Sequence, residues 1–240
     1  NDHNLSTSKQ LKKIATKEIY AAKIISKSYA HTVQLVKQIE KEVSIMNQIS
    51  HPNIVKYYES FEIINDINES YIIIIMEYCE NGNLWNFMKA KDFQYHKNKI
   101  IKEFLEAIQY LHNKGIAHCG IKLDNIVINS NFNAKLSDFG YSQTEPICSD
   151  ELKFGTLLYA PPELFIKGDF WTFKADIWEV GITLYCISEG DFPYNVTDKN
   201  SIIEQIITHN LKFKSSLPEG LKKIIEKCTN MCTEKRPTIS

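Results

Sequence analysis

The stretch GIAHCGIKLDNIVIN at 115–129 sets His118, Lys122 and Asn125 close together, with two small residues, Cys119 and Gly120, directly after the histidine. Lying between an amphipathic helical pattern and a short apolar run, it has the look of a catalytic loop whose centre has been cut out. A second grouping lies upstream. Lys23, in YAAKII, reads as a lysine in a strand, and Glu42, in KEVSIM, follows about one helix later. Such a lysine can hold phosphate oxygens as a point charge while the carboxylate fixes it through an ion pair. Taken alone, the two are better read as solvated surface charges, and only their surroundings reverse that preference.

The elements that must position these groups fall into two blocks. KEIYAAKII (17–25) carries β-favouring residues around the lysine, and IVKYYESFEII and YIIIIME read as two strands joined by the polar NDINES. Between them, HTVQLVKQIEKEVSIMNQI places Val36, Ile39, Val43 and Met46 on one helical face. The first third is thus a small β-rich lobe with one long helix, and no glycine occurs before Gly82. Beyond it, NLWNFMKA and NKIIKEFLEAIQYLHNKG read as helices, the second closed by Lys114 and Gly115. The short apolar pieces NIVIN and NAKLS follow, then an irregular stretch to APPE, then helical patterns at about 173–188, 199–209 and 218–228. The expected fold is α+β in two lobes, 1–79 and a larger helical 80–240, with the boundary near EYCENGN at 77–83.

Composition narrows the classes. A chain of 240 residues with 43% hydrophobic side chains can bury a sizeable core, which excludes a disordered or fibrous protein. A formal charge of -1 gives no electrostatic reason to expect nucleic acid or an anionic membrane as partner. The longest apolar run, YIIIIM, is far too short to span a bilayer, and no signal-peptide pattern is visible, although the chain opens on Asn. The six cysteines lack the spacing of a disulfide framework, so a reducing, cytoplasmic setting is expected. Cys228 and Cys232 fall one helical turn apart, but without a second pair they read as packing rather than as metal ligands.

Read in order, HPNIVKYYESF, HCGIKLDN, SDFG, GTLLYAPPE, DIWEVG and KRP make the chain resemble the eukaryotic protein kinase family from about residue 17 to 240. The resemblance implies a two-lobed kinase fold and the following roles. Lys23 matches the strand lysine that contacts nucleotide phosphates, with Glu42 as its helix partner. Ala21 packs on adenine, Met76 controls access behind it, and Glu77 and Cys79 supply hinge peptide groups. Asn83 lies near the ribose, and Val127 is a further nucleotide-contacting position. Asp138 chelates magnesium and Asn125 matches the second metal position, hard oxygen ligands that suit Mg²⁺. ATP and Mg²⁺ are thus the implied cofactors. Lys122 matches the catalytic-loop lysine and is the candidate catalytic residue, and with Thr156 it places the ancestry with serine/threonine kinases. Glu163 and Arg236, the only arginine in the chain, match a buried pair anchoring the end of the activation segment. Asp176 matches a residue holding the catalytic loop from below, with Trp178 as core.

The pattern breaks at two places. The family's catalytic loop runs His, Arg, Asp; here it runs His118, Cys119, Gly120, so the group that orients the substrate hydroxyl and accepts its proton is replaced by a residue without a side chain. Loss of a general base is worth roughly 10² to 10⁴ in rate, about 3 to 5 kcal/mol of barrier. Cys119 also removes the charge that would receive a phosphate on the activation segment, where Ser142, Thr144 and Ser149 are the candidate acceptors. The second break is NDHNLSTSK, where the family's glycine-rich loop belongs and no glycine occurs; the first strand and that loop either lie upstream or have degenerated. The expected function is therefore a pseudokinase that binds ATP with Mg²⁺ and works through protein partners. The alternatives are a weakly active serine/threonine kinase and a structural module with a collapsed cleft.

Overall fold

The computed structural model describes residues 6–12, 18–27, 33–145, 147–148, 157–166, 170–171, 173–195, 198–208, 211–214 and 216–239. Thr156 and Ser149, named above, lie outside them, as do residues 1–5 of the glycine-free opening.

Four strands build the first lobe: β1 (Ser6–Lys12), β2 (Ile19–Ser26), β3 (Tyr57–Ile64) and β4 (Ser70–Glu77), antiparallel in the order β1-β2-β4-β3. Because side chains alternate across a strand, Ala21, Lys23 and Ile25 share one face of β2. Ile25 and Ile74 pack there with Ile39, Ile45 and Met46 of helix α1 (Val33–Gln48), whereas Ala22, Ile73 and Ile75 form a separate cluster. The alternation that sends Ile25 into the core therefore also aims Lys23 at the same helix. β1 has no counterpart in the sequence reading: STSKQLK shows little apolar alternation, and its strand form rests on pairing with β2 from Ser6↔Ile25 to Lys12↔Ile19.

The second lobe is built around α5 (Phe173–Glu189), buried without a break from Ala175 to Ile187. A helix buried on all sides belongs at the centre of a domain, and the few polar side chains it carries there, Asp176 and Glu179 among them, must find partners. Around it lie α2 (Leu84–Phe87), α3 (Phe93–Asn113), α4 (Glu163–Ile166), α6 (Lys199–Thr208) and α7 (Glu219–Cys228). A Cβ on Gly181 of α5 would meet Thr229 Cγ2 at 2.6 Å and Cys228 Cβ at 2.8 Å, so α5 and the end of α7 approach as closely as only glycine allows. Two hairpins complete the lobe: β5 (Ile126–Ile128) with β6 (Ala134–Leu136), and β7 (Ile147–Cys148) with β8 (Phe170–Trp171).

Two boundaries differ from the sequence reading. Helix α3 begins at Phe93, earlier than NKII, because Phe93 is buried edge-on to Phe87 and carries the polar turn between with it. The IV of HPNIV is not part of β3: Ile54 bridges to Leu136 and the Val55 amide bonds the Leu136 carbonyl at 2.9 Å, tying the first lobe to the β5-β6 hairpin. No helix among the described residues is long and apolar enough to cross a membrane, and none of them form a group of three or more His, Cys, Asp or Glu that could hold a metal ion.

Candidate active site

Where β2, α1 and the loop after β6 meet, three charges converge. Lys23 Nζ lies 2.7 and 2.9 Å from the two carboxylate oxygens of Glu42 and 3.0 Å from Asp138 Oδ1. Burial pulls the Lys23 ammonium towards neutrality, but the charges of Asp138 and Glu42 outweigh it and hold its pKa above the usual lysine value. Burial likewise works to raise the Asp138 carboxyl, and the facing ammonium overrides it, so Asp138 titrates below the usual range and stays ionised. Glu42 is almost wholly buried, whereas the Asp138 side chain keeps 38% of its surface, so the triad is anchored in the protein and open on the Asp138 side.

Asp138 sits at φ 63, a left-handed conformation that costs a non-glycine residue energy unless its neighbours impose it. They do on both flanks. Ser137 N and Oγ both bond the Asn125 carbonyl, at 2.8 and 2.9 Å. Phe139 is buried edge-on to the His118 ring, and the Gly140 carbonyl accepts from Gln38 of α1 at 2.6 Å. Lys41 of α1 reaches the Gln143 side chain, and Gln143 exchanges backbone bonds with Ala117. Helix α1 is thus tied directly at two points to the segment carrying Asp138, and at a third through Lys23.

The loop of the opening motif is held from beneath by α5. The Asp176 carboxylate accepts the His118 amide at 2.8 Å and the Cys119 amide at 2.9 Å, and also contacts His112 at 2.9 Å; Glu179, one turn on, accepts the Ile121 amide at 2.6 Å. These bonds hold Cys119 at φ 58. On the upper side Asn125 Nδ2 donates to the Gly120 carbonyl at 2.9 Å, which leaves the Asn125 amide oxygen as its free end for a cation. A carboxylate and an amide oxygen suit Mg²⁺, which takes few protein ligands and completes its shell with phosphate and water.

The family model described as "Protein kinase domain" matches residues 4–240. The chain belongs to the protein kinase family. Relatives include the cell cycle serine/threonine-protein kinase CDC5/MSD2 of Saccharomyces cerevisiae, 31% identical over 232 residues (93% of this chain, 32% of the relative). Mouse Aurora kinase B is 30% identical over 211 residues (87% and 59%), and CBL-interacting serine/threonine-protein kinase 2 of Arabidopsis thaliana 30% over 230 residues (94% and 49%). The chain spans less than two thirds of the length of each. It is a protein kinase domain of serine/threonine type, with the two-lobed α+β fold of that family.

Within this kinase domain the residues expected at the nucleotide fall along one line. Ala21 pairs with Met76 across β2 and β4, which puts the two at one level of the cleft. Glu77 follows Met76, its carboxylate taken by Lys135 at 2.9 Å and the Lys56 amide at 3.1 Å. The Cys79 carbonyl accepts from Gly82, and its thiol is buried and pushed up to about 12. Asn83 caps α2 through the Asn86 amide at 3.0 Å and bridges to Val127 of β5. Its acceptor oxygen is therefore occupied, a role in the fold that the sequence reading did not give it. Lys122 lies near enough for its charge to lower the carboxyls of both Asp138 and Glu179.

Three positioning residues went unread in the sequence: Gln38, Lys41 and Glu179. Each makes its contact 58 or more positions away, so no local spacing marks it. Asp176 and the Glu163–Arg236 pair are placed as read. Arg236 forks onto Glu163 with two bonds of 2.6 Å, donates to the carbonyls of Asn230 and Lys174, and lies 5.0 Å from the centre of the Trp178 ring.

Proposed function

We propose that this kinase domain binds ATP with Mg²⁺ between its lobes and works mainly as a pseudokinase, engaging protein partners through its nucleotide-bound shape. One observation carries the reading: the loop backbone is fully anchored by Asp176 and Glu179, and the residue it presents between Cys119 and Ile121 is a glycine. Lys23 and Glu42 would hold the phosphates, and Asp138 with Asn125 the metal, which would neutralise phosphate charge. The assembled Lys23–Glu42–Asp138 triad speaks against a collapsed cleft. Nucleotide would then stabilise the domain by mass action. Cys79, Cys119, Cys186, Cys228 and Cys232 are free thiols, which fits a cytoplasmic setting.

A second reading, a slow serine/threonine kinase, is favoured by the relatives, whose names are those of serine/threonine kinases. Phosphoryl transfer depends mostly on positioning and electrostatics, so it can survive loss of the base. One pair of measurements separates the two: thermal stability with ATP, with and without Mg²⁺, and label transfer to a generic Ser/Thr substrate beside Gly120→Asp. A Cβ at Gly120 meets nothing closer than 3.7 Å, so the aspartate is accommodated. Stabilisation without transfer, with transfer restored roughly 10²-fold or more by Gly120→Asp, is the expected result. Robust transfer by the unaltered chain sinks the pseudokinase reading, and no nucleotide effect sinks both.

A further inference from the structure

The four-stranded sheet of the first lobe ends on β3, and among the described residues no strand pairs with its outer side. An edge strand offers a row of backbone donors and acceptors, which folded proteins shield with lysine, proline, a bulge or a very short edge. β1, at the opposite edge, carries Lys9 and Lys12, whereas β3, YYESFEII, has neither lysine nor proline along its eight residues. Its shielding is confined to one end, where a bulge between Tyr57 and Glu59 breaks the register with β4. From Glu59 to Ile64 the pairing with β4 is regular and the far edge is open.

The side chains make this edge apolar on both faces. Ile74 packs towards α1, so Phe61 and Ile63, paired with Ile73 and Tyr71, lie on the opposite face, beside the cluster of Ala22, Ile73 and Ile75. Ile64 falls on the α1 side. Phe61 is 43% exposed, Ile63 41% and Ile64 65%, a contiguous patch of the kind that marks an interaction site. Of the two carboxylates on the strand, Glu62 is already held by Lys27 Nζ and Ser70 Oγ, each at 2.5 Å.

The strand is also self-complementary in one register. Directly opposed residues of an antiparallel pair lie on the same face, and like charges so opposed weaken the pair. Two copies of β3 centred on Phe61 set Phe61 against itself, Ser60 against Glu62 and Glu59 against Ile63. No two carboxylates then meet, and pairing stays within 59–63, clear of the bulge. A register centred on Glu62 sets that carboxylate against its own copy. One centred on Ile63 runs Phe61 into Asn65, whose side chain is spent on the turn at Glu69, and one centred on Ser60 runs Glu62 into the bulge.

We propose that a second copy of this domain pairs with β3, antiparallel and about a two-fold axis at Phe61, joining the two sheets into one continuous sheet. The backbone edge of each copy satisfies that of the other, and the two Phe61 rings pack together on the axis. Resting on one strand a side, the interface is small, so the dimer is weak and forms at micromolar or higher concentration. The surface lies outside the nucleotide cleft, so the pairing holds whether or not the domain transfers phosphate.

Sedimentation velocity over a micromolar concentration series tests this with two substitutions at exposed positions. Phe61→Lys sets two ammonium groups face to face on the axis and is expected to weaken association about 10-fold or more. Ile63→Lys sets each ammonium opposite Glu59 of the other copy and is expected to leave association within about threefold of the unaltered chain. Equal losses from the two, or no loss from Phe61→Lys, would overturn the proposal, because only the register centred on Phe61 separates them. Should Phe61→Lys not fold, Glu59→Lys combined with Ile63→Lys decides: it turns the attraction into repulsion and is expected to dissociate the dimer that Ile63→Lys alone keeps, and no difference between the two overturns the register. An unaltered chain that stays monomeric through the series overturns the proposal as well, and leaves the edge to an extended segment of a different protein.

Discussion

Cys119 occupies a position where the sequence shows only a missing charge, and the structure supplies what took its place. Its thiol is buried against Ala117, Ala160, Leu164 and Ala175, an apolar contact between the loop and the start of α4. Burial first, then the nearby Asp176 and Glu179 carboxylates, push the thiol well above the usual cysteine value. Cys119 should therefore resist a maleimide in the folded domain while the exposed Cys232 reacts, as peptide mass mapping after a brief pulse would show; fast labelling of Cys119 would contradict the burial. At the same scale, Lys23→Met should abolish the ATP-dependent rise in Tm, because the remaining Glu42 and Asp138 would then repel the phosphates. Motif residues such as Lys23, Asn125 and Asp138 were legible because each role is tied to a residue type at a fixed spacing. The cap made by Asn83 was not, since it depends on which neighbour takes which atom.

At the scale of elements, burial patterns were legible and pairing was not. The face of α1 carrying Ile39 and Met46 follows from a 3.6-residue period, and the hairpin of β5 and β6 from two short apolar runs. Strand β1 left no such trace, because an edge strand of mixed polarity is specified by its partner. Packing between elements gives two predictions. Gly181→Ala should destabilise the domain by roughly 1–3 kcal/mol, since the contacts at 2.6 and 2.8 Å force α5 and α7 apart; a chemical-denaturation midpoint checks it. Arg236→Lys should cost more, about 3–5 kcal/mol, because an ammonium cannot replace the fork and leaves the buried Glu163 imperfectly paired.

Over the whole molecule, buried carboxyls set how stability follows pH. Glu179 is raised well above the usual carboxyl value, by burial first and by Asp176 second. As pH climbs past the ordinary glutamate value of about 4.3, the unfolded chain releases this proton while the folded chain keeps it. The folded state then binds more protons, so this group's contribution falls with rising pH. Asp138 and Asp176, both lowered, act in the opposite sense: their contribution is present above the ordinary aspartate value and is lost as pH falls through their folded values. Glu179→Gln retains an acceptor for the Ile121 amide and removes the first effect. Its Tm should therefore decline less than that of the unaltered chain between pH 5 and 8; identical profiles would show that Glu179 is ionised when folded.

The pair of Glu163 and Arg236 also imposes an order in time. Its partners are 73 positions apart. At about 5–20 residues per second of synthesis, Glu163 emerges several seconds before the arginine that neutralises it. During that interval a carboxylate destined for burial must stay in water, so α4 cannot settle in its final place. Closure of the larger lobe is thus a late stitch, drawn by the chain's single arginine after the helices around it have been made.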